Sequence, residues 1–276
     1  MYSRFCLRGG AGFRACRPKG RSPLILDKFK LTGKSALVTG SSRGLGAGIA
    51  MALAEAGANV AVHGASKQPQ ATLKQLEAID AKTIGLIGDV GDAAVCARLV
   101  EETAAHFGSI DILVNNAGII RRSPAVDHSE EDWKAVIDVD LSSVFRLMQH
   151  AGRHMLARGS GKIINIASLL AFQGGITVPS YAAAKGGVAQ LTKAFANEWA
   201  AKGINVNAIA PGYMATDNTE ALQKNPERAR QIMERIPAGR WGDPADLAGA
   251  AVFLASSASD YVHGSVLVVD GGWMNR

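Results

Sequence analysis

The chain has 276 residues, 47% of them hydrophobic and 20% charged, which is typical of a globular protein with a large core. It contains no apolar run of the roughly 18 residues that a transmembrane helix needs, so no membrane partner is expected. The cysteines Cys6, Cys16 and Cys96 show neither CxxC nor Cys/His ligand spacing. This pattern speaks against a disulfide framework and a zinc site, and we expect no metal and a reducing, cytoplasmic location.

The net charge of +6 comes from the N-terminal tail alone. Residues 1–26 carry six basic residues and no acid, which leaves 24 basic and 24 acidic residues in the rest of the chain. A neutral body gives no case for nucleic-acid binding. We predict a basic, disordered extension over 1–26 and a folded domain over 27–276. The tail also resembles an organellar transit peptide, and a start assigned too far upstream is a further alternative.

Short β-branched runs alternate with longer stretches of helical periodicity along the body. The predicted strands lie at 35–40, 59–64, 83–88, 110–116, 161–168, 203–210 and 265–272. The predicted helices lie at 44–57, 68–81, 92–108, 130–159, 180–203 and 244–256. This alternation predicts an α/β, single-domain, doubly wound (Rossmann) fold with about seven parallel strands and helices on both faces. The irregular segment 211–243 is a candidate lid.

The first strand is followed by "TGSSRGLG" (39–46), which opens the first helix. Glycines at Gly40, Gly44 and Gly46 let the backbone turn sharply and approach a pyrophosphate, which then meets the free N–H groups of the helix N-terminus. The spacing alone is a weak signal, but its place at the first strand–helix junction predicts a dinucleotide site.

The end of the second strand bears on which nucleotide binds. An NAD site usually places Asp or Glu here to bind the ribose hydroxyls, yet no acid occurs between Glu55 and Glu77. Arg43 in the glycine turn and Lys67 after the strand would instead attract a 2′-phosphate. We therefore favour NADP(H), with NAD(H) open. The alternative is that both cations are ordinary solvated surface charges.

A tyrosine and a lysine four residues apart, Tyr181 and Lys185 in "SYAAAK", share one face of a predicted helix. An adjacent ammonium stabilises phenolate and lowers the tyrosine pKa from about 10 toward the working pH. Such a tyrosine can exchange a proton with an alcohol or a ketone. Ser168, at the end of the fifth predicted strand, could hold the substrate oxygen at the same sheet edge.

Taken together and in order, TGxxxGxG (39–46), Asp89, "NNAG" (115–118), Ser168, YxxxK (181–185) and "PG" (211–212) resemble the short-chain dehydrogenase/reductase family over about residues 30–272. The resemblance implies that Tyr181 is the catalytic acid/base, that Ser168 orients the substrate oxygen, and that Lys185 tunes Tyr181 and binds the nicotinamide ribose. It implies further cofactor contacts from Gly40, Ser42, Arg43, Gly44, Leu45, Gly46, Ser66, Lys67, Asp89, Val90, Asn116, Ala117, Gly118, Pro211, Gly212, Met214 and Thr216.

One position departs from the family pattern. The family usually has Asn on the helix after strand four, where it supports a water that links the lysine to solvent, and this chain has Asp140. Asp accepts hydrogen bonds but has no amide donor, and it adds negative charge near Lys185. We expect an altered proton relay, and a harmless substitution is the alternative.

On the substrate side, the stretches "FQGG", "GYMATDNT" and "IPAGRWG" are most similar to dehydrogenases of C6 sugar acids of the 2-deoxy-gluconate or 2-keto-3-deoxy-gluconate type. Gluconate 5-dehydrogenases and 3-oxoacyl-carrier-protein reductases are alternatives, and a nucleotide-sensing protein without turnover is a remote one. The proposed polar lining is Gln173, Thr177, Asn218 and Arg240, with Arg121 or Arg122 for the substrate carboxylate. The family resemblance also implies a homotetramer, with small-residue faces at 131–158 and 180–202 suited to packing between subunits.

Overall fold

Seven parallel strands form one sheet in the computed structural model of the chain, which describes residues 24–276. The strands are β1 (Ser35–Val38), β2 (Asn59–Gly64), β3 (Thr83–Ile87), β4 (Ile112–Asn115), β5 (Gly161–Ile166), β6 (Ile204–Pro211) and β7 (Val266–Val269). Their spatial order is β3-β2-β1-β4-β5-β6-β7. The predicted fold class is confirmed. The extension predicted over 1–26, with Cys6 and Cys16, lies mostly outside the described residues.

Helices cover both faces of this sheet. They are α1 (Gly44–Glu55), α2 (Gln70–Glu77), α3 (Ala93–Phe107), α4 (Glu130–Ile137), α5 (Ser143–Arg158), α6 (Pro179–Trp199), α7 (Glu220–Gln223), α8 (Pro226–Arg235) and α9 (Ala248–Ala255). One core cluster joins the sheet to α3, α5 and α6, and a second joins it to α1, α2 and α9. Because successive strand residues point to opposite faces, Leu37 lies in the first cluster and Val38 in the second.

The order of the strands creates a switch point between β1 and β4. The chain builds outward from β1 to β3, then crosses back to place β4 on the other side of β1. In open parallel sheets ligands bind at such a point, outside the carboxyl ends of the strands. The segments that follow β1, β4 and β5 therefore meet at one place.

The helix predicted over 130–159 is not continuous. A π-helical turn (Asp138–Ser142) separates α4 from α5, and the Ser143 N–H donates to the carbonyl of Asp138, five residues back. The wider turn places an extra residue in the helix, and Asp140 within it is fully buried. Such turns are frequent at functional sites, and this one brings a carboxylate to the switch point.

The predicted lid follows β6 and contains α7 and α8. It is fastened at its two ends, because Ala215 N–H donates to the Gly242 carbonyl at 2.7 Å and Gly242 N–H donates to that of Tyr213 at 2.9 Å. Ile232 and Ile236 pack against Leu169 and Trp273 in a small core of their own. The segment 212–243, here called the cover, thus forms a separate layer over the end of β5.

Candidate active site and nucleotide cleft

Two adjacent cavities open at the carboxyl edge of the sheet. One, of about 890 Å³, lies over β1–β4 and is called the nucleotide cleft. The other, of about 640 Å³, lies between the end of β5 and the cover and is called the substrate cavity. Leu45, Ile166, Tyr181 and Thr216 line both. A ligand in one cavity can therefore meet a ligand in the other at Tyr181.

The nucleotide cleft brings together most of the residues predicted to contact a cofactor. The predicted residues on its wall are Gly40, Ser42, Arg43, Gly44, Leu45, Gly46, Ser66, Lys67, Asp89, Val90, Asn116, Ala117, Gly118, Tyr181, Lys185 and Thr216. The other three, Pro211, Gly212 and Met214, line the substrate cavity instead. Their position borders the junction, where the reactive end of a dinucleotide would lie.

Glycine is required in the turn because the backbone packs closely there. A Cβ on Gly46 would come within 2.4 Å of the Asn116 Nδ2 atom and of the Gly40 carbonyl oxygen. The Asn116 amide donates to the carbonyls of Thr39 at 2.9 Å and Gly40 at 3.0 Å, which ties the end of β4 to the turn. The N-cap residue of α1 offers no side-chain cap, and its first turn has no acid. These features suit an anion at the helix N-terminus.

The two cations predicted to bind a 2′-phosphate both lie on the wall of the cleft. Lys67 is exposed, and Arg43 pairs through Nε with Asp217 Oδ2 at 2.7 Å, with both side chains about 70% exposed. An exposed pair of this kind is worth little, so a phosphate could displace Asp217. The donor set fits a nucleotide with a 2′-phosphate, and the cover reaches over the cleft at this point.

A buried histidine that the sequence reasoning missed supports the glycine turn. His63 Nδ1 accepts from the Gly40 N–H at 3.0 Å, and Nε2 donates to the Gly88 carbonyl at 2.8 Å, which fixes the neutral tautomer. Burial lowers the pKa of His63, and the positive charge of Arg98 acts in the same direction. His63 thus links the ends of β1, β2 and β3 beneath the cleft.

Ser168, Tyr181 and Lys185 converge at the junction of the two cavities. Ser168 follows β5 and lines the substrate cavity together with Tyr181, which lies half-buried in the first turn of α6. Lys185, one turn later, is 4% exposed and donates to the Ile166 carbonyl at 3.0 Å. Its Nζ lies 5.3 Å from the centroid of the Tyr181 ring. The sequence placed all three residues at this edge, and the geometry agrees.

Asp140 is the fourth member of this group. Its Oδ1 accepts from the Ile119 N–H at 2.8 Å, and its Oδ2 lies 3.4 Å from Lys185 Nζ. Burial raises the pKa of Asp140, opposed by the Lys185 charge and by the Ile119 hydrogen bond. Burial also opposes the charged form of Lys185, but Asp140 and the negative charge that Tyr181 can carry together outweigh it, and the pKa of Lys185 is raised. The pair therefore holds Lys185 as an ammonium.

The net direction at Tyr181 corrects the sequence-based expectation of a lowered pKa. Burial raises the pKa of Tyr181 above its ordinary value, and the charge of Asp140 acts in the same direction. Lys185 lowers it as predicted, together with Ser168 and Arg122, but does not prevail. The expectation considered only the ammonium and left out desolvation and the nearby carboxylate. The raised pKa favours the protonated phenol of Tyr181.

The substrate cavity contains some of the predicted polar residues and not others. Gln173, Thr177 and Arg122 line it. Arg240 does not, because it forms a bidentate pair with Asp246 at 2.7 and 2.8 Å outside the cavity, so its prediction was wrong. Arg121 lines the nucleotide cleft and lies 3.4 Å from Asp132. The side chain of Asn218 lies outside the described part of the chain.

Two arginines on α8 line the substrate cavity and were missed. Arg228 and Arg235 are seven residues apart, so they share one face of the helix, with Ile232 between them on the cavity wall. The stretch "PERARQIMERI" shows this spacing, which could have revealed a cationic face. The region 211–243 contains a short helix-like stretch within an otherwise irregular segment, so its spacing alone does not indicate which face meets a cavity. Among the described residues, no group of three or more His, Cys, Asp or Glu could hold a metal ion.

Comparisons with known proteins agree with this geometry. A family model described as enoyl-(acyl carrier protein) reductase matches residues 40–274. A 2-dehydro-3-deoxy-D-gluconate 5-dehydrogenase of Dickeya dadantii (strain 3937) is 52% identical over 254 residues, covering 92% of this chain and 100% of the relative.

Solved structures are similar over the same range. A crystal structure from Agrobacterium tumefaciens with bound NADP, assigned provisionally as a 2-deoxy-D-gluconate 3-dehydrogenase, is 53% identical with a TM-score of 0.84 and covers 91% of this chain and 100% of that one. A gluconate 5-dehydrogenase of Burkholderia cenocepacia J2315, in complex with NADP and tartrate, is 43% identical with a TM-score of 0.87 and covers 92% and 100%.

Proposed function

The chain belongs to the short-chain dehydrogenase/reductase family, and from this premise we propose that it interconverts a secondary alcohol and a ketone of a C6 sugar acid. As a member it is an NAD(P)-dependent oxidoreductase that acts on a CH–OH group. The substrate class, of the 2-deoxy-gluconate or 2-keto-3-deoxy-gluconate type, is supported by relatives named as dehydrogenases of such acids.

A single observation carries the proposal. Tyr181 lies where the nucleotide cleft meets the substrate cavity, and Ser168 lines the substrate cavity with it. A substrate oxygen in the second cavity would reach the Tyr181 hydroxyl, while the carbon that bears it faces the first. This is the arrangement that a coupled proton and hydride transfer needs.

The nicotinamide nucleotide, when bound, supplies the hydride acceptor for alcohol oxidation and the hydride donor for ketone reduction. The chain manages the proton and the orientation of the substrate. Ser168 holds the substrate oxygen, and Tyr181 gives a proton to the ketone or takes the hydroxyl proton from the alcohol. Lys185 stabilises the phenolate that proton donation leaves, because its charge lies on the same helix face.

We propose NADP(H) as the preferred cofactor, with NAD(H) as the alternative. The support is the donor set around the ribose end of the cleft, where Arg43 and Lys67 lie and no acid replaces them on β2. Two of the similar crystal structures contain NADP. Arg43 would give up Asp217 to bind the phosphate, since a bidentate guanidinium–phosphate bond is stronger than an exposed ion pair.

The experiment that tests the function is a steady-state assay of the purified chain. C6 sugar acids and their keto forms are offered with NADP⁺, NAD⁺ and the reduced nucleotides, and nicotinamide absorbance is followed. The proposal expects turnover of a sugar acid, faster with NADP(H), and its loss in Tyr181→Phe. A 3-oxoacyl thioester as the preferred substrate would support the reductase alternative, and nucleotide binding without turnover would support a sensor.

We also propose that the chain forms a homotetramer and works in the cytoplasm. Support for assembly comes from α5 and α6, where Phe145 is 41% exposed and stacks edge-on with Phe195 at 6.0 Å between ring centroids. An aromatic pair at the surface of two long helices suits packing against a second copy. Light scattering of the purified chain tests the tetramer, and a monomeric mass would contradict it.

For the described residues, no helix is both long and apolar enough to span a membrane.

A further inference from the structure

We infer that the cavity side of α8, through Arg228 and Arg235, binds the carboxylate of the substrate. The inference rests on the proposed function, because it concerns the acid group of a sugar acid. It also goes beyond that function, since it assigns the acid end of the substrate to the cover.

The charges on α8 are divided between its two sides. Arg230 is held by Glu227 and Glu234, with nitrogen–oxygen distances of 2.9 and 2.6 Å, and it lies outside both cavities. Arg228 and Arg235 line the substrate cavity, and neither forms an ion pair within residues 24–276. The helix therefore neutralises its outer arginine and leaves the two inner ones available to an anion.

Each of the inner arginines is held in place by a neutral partner. The guanidinium carbon Cζ of Arg235 lies 4.1 Å from the centroid of the Trp273 ring. Trp273 is 5% exposed, and its ring packs on that of Tyr213 with 4.6 Å between the centroids. Stacking occupies the face of the guanidinium and leaves its edge donors free. Arg228 is half-buried and donates to Gln231 at 3.1 Å through one nitrogen, Nη1. Pre-set donors of this kind suit bidentate binding of a carboxylate.

Arg122 is the alternative site for the carboxylate, because it also lines the substrate cavity. It belongs to the segment after β4, which supplies this one arginine to the cavity, whereas α8 supplies two from one helix face. Two guanidinium groups offer a carboxylate more charge-assisted hydrogen bonds than one. We therefore place the carboxylate on α8, with Arg122 binding a hydroxyl.

The test compares Arg228→Gln and Arg235→Gln with the matched control Arg230→Gln, whose arginine lies outside the cavity on the same helix. Loss of a charge-assisted hydrogen bond is expected to raise the KM for the sugar acid about 10- to 100-fold in each inner variant. The kcat should change less than about threefold, because a contact to the acid group that is made equally in the ground state and the transition state contributes to KM alone. The Arg230→Gln variant should keep both constants, and all three should bind NADP(H) normally by nucleotide fluorescence.

A neutral substrate separates charge recognition from damage to the fold. The hexitol that carries CH₂OH in place of the carboxylate should show the same kcat/KM in the inner variants as in the parent chain. Arg235→Lys should have a KM for the sugar acid between those of Arg235→Gln and the parent chain. An equal loss on the hexitol, an equal effect of Arg230→Gln, or an unchanged KM in both inner variants would overturn the inference. A parent chain that turns over no sugar acid would instead contradict the proposed function itself.

Discussion

The nucleotide cleft and the substrate cavity are built in different ways, although they meet at one tyrosine. The cleft is formed mainly by short segments that leave the ends of β1–β4, and its shape depends on close backbone packing at the glycine turn. The substrate cavity takes many of its polar groups from long side chains on the cover, Arg228, Gln231 and Arg235 among them. The cleft is thus part of the core, whereas the cavity is completed by a layer placed over it.

Because of this difference, nucleotide binding and substrate specificity depend on different parts of the enzyme. Changes in the cleft alter backbone packing that the whole sheet shares, so they affect folding and nucleotide binding together. Changes in α8 of the cover alter side chains that line the substrate cavity and not the nucleotide cleft. Specificity can therefore vary while the chemistry at Tyr181 stays the same.

The largest effect is expected at the junction, from Tyr181→Phe. The variant keeps the ring but loses the proton donor, so kcat should fall by about 10²–10⁴-fold. Nucleotide binding, measured by fluorescence, should remain within a few-fold. A variant that keeps more than a tenth of the parent kcat would place the proton transfer on another group.

A backbone change in the cleft is expected to be nearly as severe. In Gly46→Ala the new methyl would lie 2.4 Å from the Gly40 carbonyl oxygen, and overpacking of this kind costs about 1–3 kcal/mol of unfolding free energy. Thermal unfolding should show a lower Tm, and nucleotide affinity should fall as well.

Its control is Gly249→Ala, in α9, where an added Cβ meets no atom within 4 Å. This change should leave activity intact and stabilise the chain slightly, since alanine favours helix over glycine by about 1 kcal/mol. Equal behaviour of the two variants would show that the glycine turn tolerates a side chain and that the cleft is not tightly packed.

The ribose end of the cleft tests whether side chains can matter there too. Arg43→Ala should raise the KM for NADP⁺ about tenfold, as expected for a lost charge-assisted contact, and leave that for NAD⁺ nearly unchanged. Asp217→Asn should have the opposite sign, a lower KM for NADP⁺, because Arg43 is released from its ion pair. Steady-state kinetics with both nucleotides measures these KM values in the two variants. Equal changes in the KM for NAD⁺ would contradict a phosphate site.

The Asp140→Asn substitution should shift the pH profile of kcat/KM more than it changes the maximal rate. The carboxylate raises the pKa of Tyr181, so its replacement by an amide should lower that pKa. The amide oxygen can still accept from Ile119, which preserves the turn. The acid limb of kcat/KM for alcohol oxidation should then move to lower pH. A shift to higher pH, or none, would show that Asp140 carries no charge in the working enzyme.

The smallest effect concerns His63 and stability. Burial lowers its pKa in the folded chain below the value of about 6.5 in the unfolded chain. As the pH falls, the unfolded state therefore binds more protons at His63 than the folded state does. The contribution of neutral His63 to the free energy of unfolding is thus fully present above about pH 6.5 and is lost as the pH falls toward the folded pKa. Denaturant unfolding between pH 7.5 and pH 5 or so should show this loss in the parent chain and less of it in His63→Asn. Equal slopes of the free energy of unfolding against pH in the two chains would contradict this role of His63.

Much of this arrangement could be predicted from the sequence, for a physical reason. Strands, helices and the glycine turn depend on local periodicity and on close backbone approach, and both are visible in a short window. Tyr181 and Lys185 are one turn apart, so their shared face follows from helix geometry alone.

What escaped prediction depends on contacts between distant segments. The depth of Tyr181, which sets the direction of its pKa, comes from packing across the junction and not from its neighbours in the chain. His63 acquires its role from Gly40 and Gly88, each more than twenty residues away. Arg240 lies outside the substrate cavity, where it pairs with Asp246. The π-helical turn at Asp140 has no periodic signature.

Tyr181 joins the nucleotide cleft to the substrate cavity, so we expect hydride to pass directly between the two ligands. The direct measurement uses a sugar acid deuterated at the reacting carbon, with NADP⁺ and the parent chain, and observes the nicotinamide product by NMR. We expect one deuterium per turnover on the nicotinamide ring, on a single face. Deuterium released to water, or kept in the sugar product, would contradict the account.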